Sequence, residues 1–424
     1  MNTTDTLPEI NAYKANARRW LVENMERRPS GNALAESGLT TEEFLSKKIA
    51  KARALQRKLF DGGYAGITWA KEYGGQGLPL EYDVAFLQAA ENYVMPDFDT
   101  FNSTTFDICV PVMLDHSSPE FLRSFIPKVL AGELLVCQFF SEPSAGSDLA
   151  GVRTRATRDG DQWVINGQKI WSTLAQFADW GMCLARTNWD VPKHRGLTWF
   201  AVPCDSAGLT IRPIRQITGS PHFCEDFFDD VAVPDGYRIG EVNDGWTVTQ
   251  SMLVRERGAA RSADTMSPTG PGDLVPDLVA AARKAGQLAD PVVRQKLARA
   301  HTNDYVGRAL GFRIAQMTAQ GDLNTGVAAY GKLFKGVYTP IRARIGVEIA
   351  GAAAMTWDPA TPGADATALA YLNGRLISIA GGTNEMQRNG IGERVLGLPR
   401  EPSFDTSKPF NEVLRDSVHW NGKV

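Results

Sequence analysis

The chain has 424 residues, 43% of them hydrophobic and 22% charged, with a formal net charge of -3. That length exceeds what one core usually organises and predicts two or three domains. The charge balance excludes the basic excess of a nucleic-acid binder, and the apolar content excludes a disordered chain.

Cys109, Cys137, Cys183, Cys204 and Cys224 are widely separated with no CxxC pair, and read as reduced core thiols. The histidines have no HExxH-like spacing, so no metal site is expected. The polar start MNTTDTLPEINAYKANARRW lacks the apolar core of a signal peptide, and no run of about 18 apolar residues follows. A cytoplasmic chain without membrane insertion is expected.

Residues 1–135 read as helical. EEFLSKKIAKARALQRKLFDGG spaces its apolar residues three and four apart and stops at Gly62-Gly63. A loop with paired glycines, GITWAKEYGGQGLPLEY, leads into DVAFLQAAENYV, and PEFLRSFIPKVLAGE closes the region at Gly132. Over 136–245 the pattern changes to short runs broken by turns: CQFF, WVING, GMCLART, LTWFAVP, LTIRPI and EDFFDDVAVP. These predict a small antiparallel barrel or sandwich. From 246 the helical period returns, with segments at 246–262, 291–319, 326–354 and 366–380.

The chemically densest stretch runs from Gln138 to Thr173, QFFSEPSAGSDLAGVRTRATRDGDQWVINGQKIWST. Asp159-Gly160 and Asn166-Gly167 are two-residue turn signals between strand-like runs and predict an antiparallel meander. Ser141 to Asp148 has no period and is rich in Ser, Gly and Pro, a loop whose amides and hydroxyls suit anionic groups. Any one of these features is an ordinary surface turn; together they read as a sheet presenting a planar, phosphate-bearing ligand.

SEPSAGSD followed by NGQKIWST resembles the flavin-binding signature of the acyl-CoA dehydrogenase family. The resemblance extends through WAKEYGGQG near the start and GGTNEMQRNGIGERVLGLPRE near the end. It implies an α+β multidomain fold: an N-terminal helical domain (1–135), a middle antiparallel β-barrel domain (136–245) and a C-terminal four-helix-bundle domain (246–424).

The resemblance also implies FAD. Gln138, Phe140 and Ser141 would line the flavin ring, with Gly146 and Ser147 toward the cofactor, thioester and CoA moiety. Trp171 and Thr173 would pack on the ring from its other side, an indole supplying stacking area and hydroxyls polarising the ring's edge. By pattern alone Trp171 reads more readily as a core tryptophan, and only its neighbours reverse that. Gly382, Thr383 and Glu385 match flavin-contact positions. Gly351, in VEIAGAAAM, matches a small-residue turn near the adenine half, although Glu348 stands where the family often has glutamine.

The reaction implied is α,β-dehydrogenation of an acyl-CoA thioester to a trans-2-enoyl-CoA, with electrons passing to an electron-transfer flavoprotein. A carboxylate removes the α-proton, and needs a dry pocket that raises its pKa. Many family members carry it as a glutamate just before the C-terminal Gly-Thr, where this chain has Gly381. Other branches carry it before an arginine on the first helix after the β-domain, and LVRERG supplies Glu256 before Arg257. Independently, Trp246, Thr249, Met252, Leu253, Glu256 and Ala260 recur at three- and four-residue spacing, which sets Glu256 on the apolar stripe of its helix. The alternative is a solvated salt bridge to Arg255 or Arg257; Arg257 is then an ion-pair partner or a contact to the CoA substrate. Glu385 is the second candidate base. Glu142 and Asp148 lie in the anion-type loop, where they would repel phosphates, and are not candidates.

The stretch 262–290 departs from the family. SADTMSPTGPGDLVPDLVAAARKAGQL stands where relatives carry an arginine and a Phe-Gly pair that reach FAD in an adjacent subunit, leaving Arg283 as the replacement cation. It reshapes either the pocket or the subunit contact. Alternatively the chain is a catalytically incomplete half of a heteromeric dehydrogenase, as in actinobacterial relatives acting on steroid side chains. Assembly is therefore expected as a homotetramer or an α2β2 heterotetramer. An oxygen-using acyl-CoA oxidase or flavin monooxygenase is the remaining alternative. Gly381, Gly258, Ala259 and Ala260 leave room for a branched or bulky acyl group.

Overall fold

Helices form first where the three-four spacing predicts them. The computed structural model describes residues 6–28, 41–265, 275–319, 327–358, 363–400, 402–403 and 405–419. The opening helices are α1 (Thr6–Asn24), α2 (Glu42–Asp61), α3 (Leu80–Ala90), α4 (Val110–His116) and α5 (Pro119–Leu130). The Thr41 hydroxyl accepts from the Phe44 amide to start α2, and Ser118 accepts from the Phe121 amide just ahead of Pro119 to start α5. A π-helical stretch, Asn102–Cys109, leads into α4.

A sheet follows, made of β1 (Val136–Phe139), β2 (Arg155–Asp159), β3 (Gln162–Thr173), β4 (Trp180–Arg186), β5 (Leu197–Pro203), β6 (Leu209–Ile214), β7 (Phe223–Pro234) and β8 (Arg238–Ile239), in the order β6-β7-β3-β2-β4-β5-β8. The runs of β4 and β5 are apolar without alternation because both faces are buried. Met182, Leu184, Trp199 and Ala201 join one core with Leu21, Phe86 and Phe125 from the helices; Cys183, Ala185, Phe200 and Val202 join a second with Trp163 and Val231.

Two pairings depart from an antiparallel pattern. β1 runs parallel to β4, from Val136↔Trp180 to Phe139↔Cys183, and β2 rejoins the same strand at Arg155↔Arg186. Residues 140–154 therefore leave one neighbour strand and return to it. The expected turn at Asn166-Gly167 is instead a bulge inside β3. There the register with β7 shifts, and the Asn166 side chain exchanges hydrogen bonds with Asp230, 2.9 Å each.

The remaining helices are α6 (Gly245–Thr265), α7 (Pro276–Lys284), α8 (Pro291–Ala319), α9 (Val327–Ala350), α10 (Ala366–Asn373), α11 (Asn384–Arg394) and α12 (Phe410–His419). α9 packs against α6, α7, α8, α10 and α11. α7 lies within the segment read as a Pro/Gly-punctuated insertion. Pro276 starts a helix rather than breaking one, and Leu278 and Ala282 pack with Val293, Ala300, Ile345 and Ile349. Residues 266–274 of that segment lie outside the described residues. No helix among the described residues is long and apolar enough to cross a membrane.

The parallel β1–β4 pair depends on Gly181, since a Cβ there would lie 2.0 Å from the fully buried Phe139 ring. Gly181→Ala is expected to lower the unfolding free energy by about 1–3 kcal/mol, read as a lower urea midpoint at unchanged m-value.

Candidate active site

The loop that leaves and rejoins β4 is shaped by buried charge. The Glu142 carboxylate accepts from Lys169 Nζ at 2.9 Å and from the amides of Arg153 and Thr154 at 2.6 and 2.8 Å. Burial alone would raise its pKa; the Lys169 ammonium and the hydrogen bonds from Thr154 and Arg153 outweigh that and hold it below the usual carboxylate range. Glu142 thus turns into the protein, correcting the expectation that it would face and repel phosphates. Asp148 is likewise answered, by Lys193 Nζ at 2.8 Å, which also meets Asp405 at 2.6 Å. The Arg186 guanidinium, pushed down to about 10 by burial, donates to the carbonyls of Ala150, Val152 and Lys193.

Gln138, Phe140, Ser141, Trp171 and Thr173 come together where β1 meets β3. The Ile170 amide donates to Ser141 O at 2.9 Å, and Lys169 Nζ to Phe140 O at 3.1 Å. Gln138 Nε2 is buried with no partner among the described residues. Trp171 sits in a second bulge of β3 at φ 66°, and 56% of its surface is exposed. A left-handed tryptophan costs about 1–2 kcal/mol, strain of the kind that collects at ligand sites. Gly146 and Ser147 are exposed, with open space where a Gly146 Cβ would be. An orphaned amide, an exposed indole and an open loop fit a flat ligand with a polar edge.

Glu256 is held by the anchors of α6. Trp199 Nε1 donates to Gly245 O and Thr249 Oγ1, 3.0 Å each, while Phe140 packs on the same indole at 5.2 Å between centroids. Further along, His116 meets Ser251 at 3.0 Å and Arg255 pairs with Asp115 at 2.6 Å. Thr249 and Met252 are buried and Trp246 is half-buried, so the predicted stripe faces inward. A Cβ built at Gly381 would lie 3.5 Å from Glu256 Oε1 and 3.4 Å from Lys332 Cε. The Glu256 carboxylate therefore borders the space that a side chain at 381 would enter. On the π-helix, burial first and the Glu256 charge second push the Cys109 thiol up, and its sulfur lies 3.8 Å from Cys137 O, beside Gln138. The side chain of Arg257 lies outside the described residues.

Gly381 and Gly382 turn through φ 66° and 87°, left-handed values that favour glycine, and Gln387 Nε2 donates to both carbonyls at 3.0 and 3.2 Å. Thr383 caps α11, its hydroxyl accepting from the Met386 amide. Glu385 is exposed, pairs with Arg388 at 3.3 Å, and lines a cavity of about 360 Å³ with Arg344, Arg375 and Arg388. Its carboxyl is held below the usual range by its own backbone amide and by Thr383, which suits an anion-facing helix end and not a dry base. Gly351 is not brought to this cluster: it follows the end of α9 at Ala350, about five turns beyond Lys332 at 3.6 residues per turn. Arg283 is exposed on α7.

Sequence reasoning missed Lys332, which is 6% exposed. Its signal is the spacing Ala329, Lys332, Gly336, a lysine between two small residues on a buried stripe of α9.

A sheet offering a flat polar-edged surface, with a carboxylate on the adjoining helix, suits a flavin-dependent oxidoreductase. Three family models match in succession: the acyl-CoA dehydrogenase N-terminal domain over residues 16–133, its middle domain over 137–231 and its C-terminal domain over 243–396. The acyl-CoA dehydrogenase IpdE1 of Mycobacterium tuberculosis (strain ATCC 25618 / H37Rv) is 35% identical over 396 residues, 93% of this chain and 99% of that one. The acyl-CoA dehydrogenase FadE34 of the same organism is 35% identical over 405 residues, 92% of this chain and 54% of that longer one. Among solved structures, the Tcur3481-Tcur3483 steroid ACAD is similar with TM-score 0.72 and 28% identity, covering 93% of this chain and 98% of that one. The ChsE4-ChsE5 complex from Mycobacterium tuberculosis is similar with TM-score 0.66 and 28% identity, covering 93% and 98%. The chain belongs to the acyl-CoA dehydrogenase family, and its cofactor is FAD.

Two outcomes are expected. Trp171→Gly removes the strained indole, so FAD content per chain falls while thermal stability changes by less than about 2 kcal/mol. Asp226, which accepts from the Ser172 hydroxyl beside Trp171, is pushed up to about 7 by burial. The folded state therefore holds that proton where the unfolded chain has released it, and the contribution is full in acid and lost as pH rises through about 7. Asp226→Asn should flatten this decline, read by thermal unfolding at roughly pH 5 and pH 8.

Proposed function

We propose that Glu256 is the base that removes the α-proton of an acyl-CoA thioester, yielding a trans-2-enoyl-CoA. The observation that carries this reading is the Glu256 carboxylate bordering the side-chain space of Gly381, the position where many relatives hold the base. When bound, FAD would supply the acceptor for the hydride that leaves the β-carbon. Gln138, Phe140, Ser141, Trp171 and Thr173 hold the ring; Gly146 and Ser147 admit the thioester; Arg257 meets the CoA. Gly382 and Thr383 flank the cofactor, and Glu385 with its neighbouring arginines faces the polar tail. An electron-transfer flavoprotein reoxidises the enzyme, and the domains divide near 135/136 and 245/246. The steroid ACAD among the similar structures favours a bulky or ring-bearing acyl group of the steroid side-chain type.

Anaerobic mixing with acyl-CoA should bleach the flavin, and Glu256→Gln should slow that bleaching by about 10²- to 10⁴-fold at unchanged FAD content. Bleaching at the wild-type rate would overturn the assignment.

A second reading is an α2β2 heteromer in which another chain completes the cofactor site. It is supported by the paired names of two similar structures, Tcur3481-Tcur3483 and ChsE4-ChsE5. Mass analysis with flavin quantification decides between them. One FAD per chain in a homotetramer excludes the heteromer; less than one, restored by a second chain, supports it.

A further inference from the structure

We propose that Lys332 is the positioning residue for the base, its buried ammonium holding the Glu256 carboxylate ionised and aimed at the space beside Gly381. This rests on the reading of Glu256 as the base.

A lysine is rarely buried unless something answers its charge. Lys332 is 6% exposed, and Nζ donates to Ile377 O at 2.5 Å, which satisfies one donor but leaves the charge to be balanced. The nearby opposite charge is Glu256: Lys332 Cε and Glu256 Oε1 lie 3.4 and 3.5 Å from one point, the position of a Gly381 Cβ. Burial pushes the Lys332 ammonium below the usual lysine range, and the Glu256 charge acts against that push. The other described elements around Glu256 contribute different groups. The π-helix contributes the neutral thiol of Cys109; on α6 itself Arg255 pairs with Asp115; the Gly381-Gly382 turn contributes only backbone; and Glu385 is exposed and paired with Arg388. The Arg257 side chain lies outside the described residues.

Burial disfavours the charged form of a carboxylate base. An ammonium beside it favours the ionised form and fixes the carboxylate's direction, at some loss of intrinsic basicity. The placement has a geometric requirement: α9 must come close to the Gly381-Gly382 turn, and small residues at 329 and 336 on the Lys332 stripe allow it.

The test uses holoenzyme and whichever of a straight, branched or ring-bearing acyl-CoA the wild type turns over best. Lys332→Gln retains a donor for Ile377 O but removes the charge; Lys332→Arg retains the charge. In Lys332→Gln the acid limb of the kcat/KM profile should move up by about one pH unit or more. Its kcat should fall about tenfold or more, with KM changed less, while Lys332→Arg keeps the wild-type limb. An unmoved limb in Lys332→Gln overturns the proposal, as does an equal shift in Lys332→Arg. Loss of FAD from both variants, with normal pH dependence in whatever activity remains, marks a purely structural lysine and also overturns it. Failure of the underlying reading has its own signature, full activity in Glu256→Gln.

Discussion

The Trp199 indole donates to Gly245 O and Thr249 Oγ1 at 3.0 Å each, and the geometry of the active face depends on that pair of bonds. Trp199 belongs to β5 and is fully buried, so its position is set by the core between the sheet and the first five helices. On one side it carries Phe140, the continuation of the strand that lines the proposed flavin surface. On the other it fixes the first turns of α6, whose later turn carries Glu256. A single side chain thereby registers the strand against the helix. Its anchoring bonds are buried and charge-free, so neither salt nor pH loosens them.

Charge enters where the loop after β1 must hold an irregular course without regular backbone pairing. Glu142 with Lys169, Arg186 with three loop carbonyls, and Lys193 between Asp148 and Asp405 each bind backbone or charge that would otherwise be buried unpaired. Removing one partner of the buried Glu142–Lys169 pair costs about 3–5 kcal/mol, whereas the pair itself contributes little net stability. The benefit is conformational: the loop keeps a fixed course, with Gly146 and Ser147 exposed. Trp171 shows the complementary device, a strained residue kept in place by β3–β7 pairing on either side of it.

Much of this was legible in the sequence because composition and spacing are local. The runs of β4 and β5, the stop of α2 at Gly62-Gly63 and the inward stripe of α6 follow from residues next to one another. What was not legible depends on partners far along the chain. Asn166-Gly167 carries a turn signature, yet becomes a bulge because β7 pairs with β3 on both sides of it. Pro276 looked like punctuation until α9 supplied a surface for Leu278 and Ala282. Glu142 turned inward because Lys169, on another strand, offered a buried charge. Lys332 went unread because a lone lysine in a helix is ordinarily solvated, and only the contact with the Gly381 turn gives it a role.

The Gly381 turn is where these threads meet. Its left-handed backbone and missing side chain open a small space bordered by a carboxylate from α6 and an ammonium from α9. If that space is where the substrate's α-carbon is deprotonated, proton removal must be separable from hydride transfer. The most direct measurement is washout of an α-deuteron from a bound acyl-CoA that lacks β-hydrogens and so cannot be dehydrogenated. Wild-type protein should exchange it with solvent, and Glu256→Gln should do so about 10²- to 10⁴-fold more slowly. Equal washout from both proteins would contradict the account.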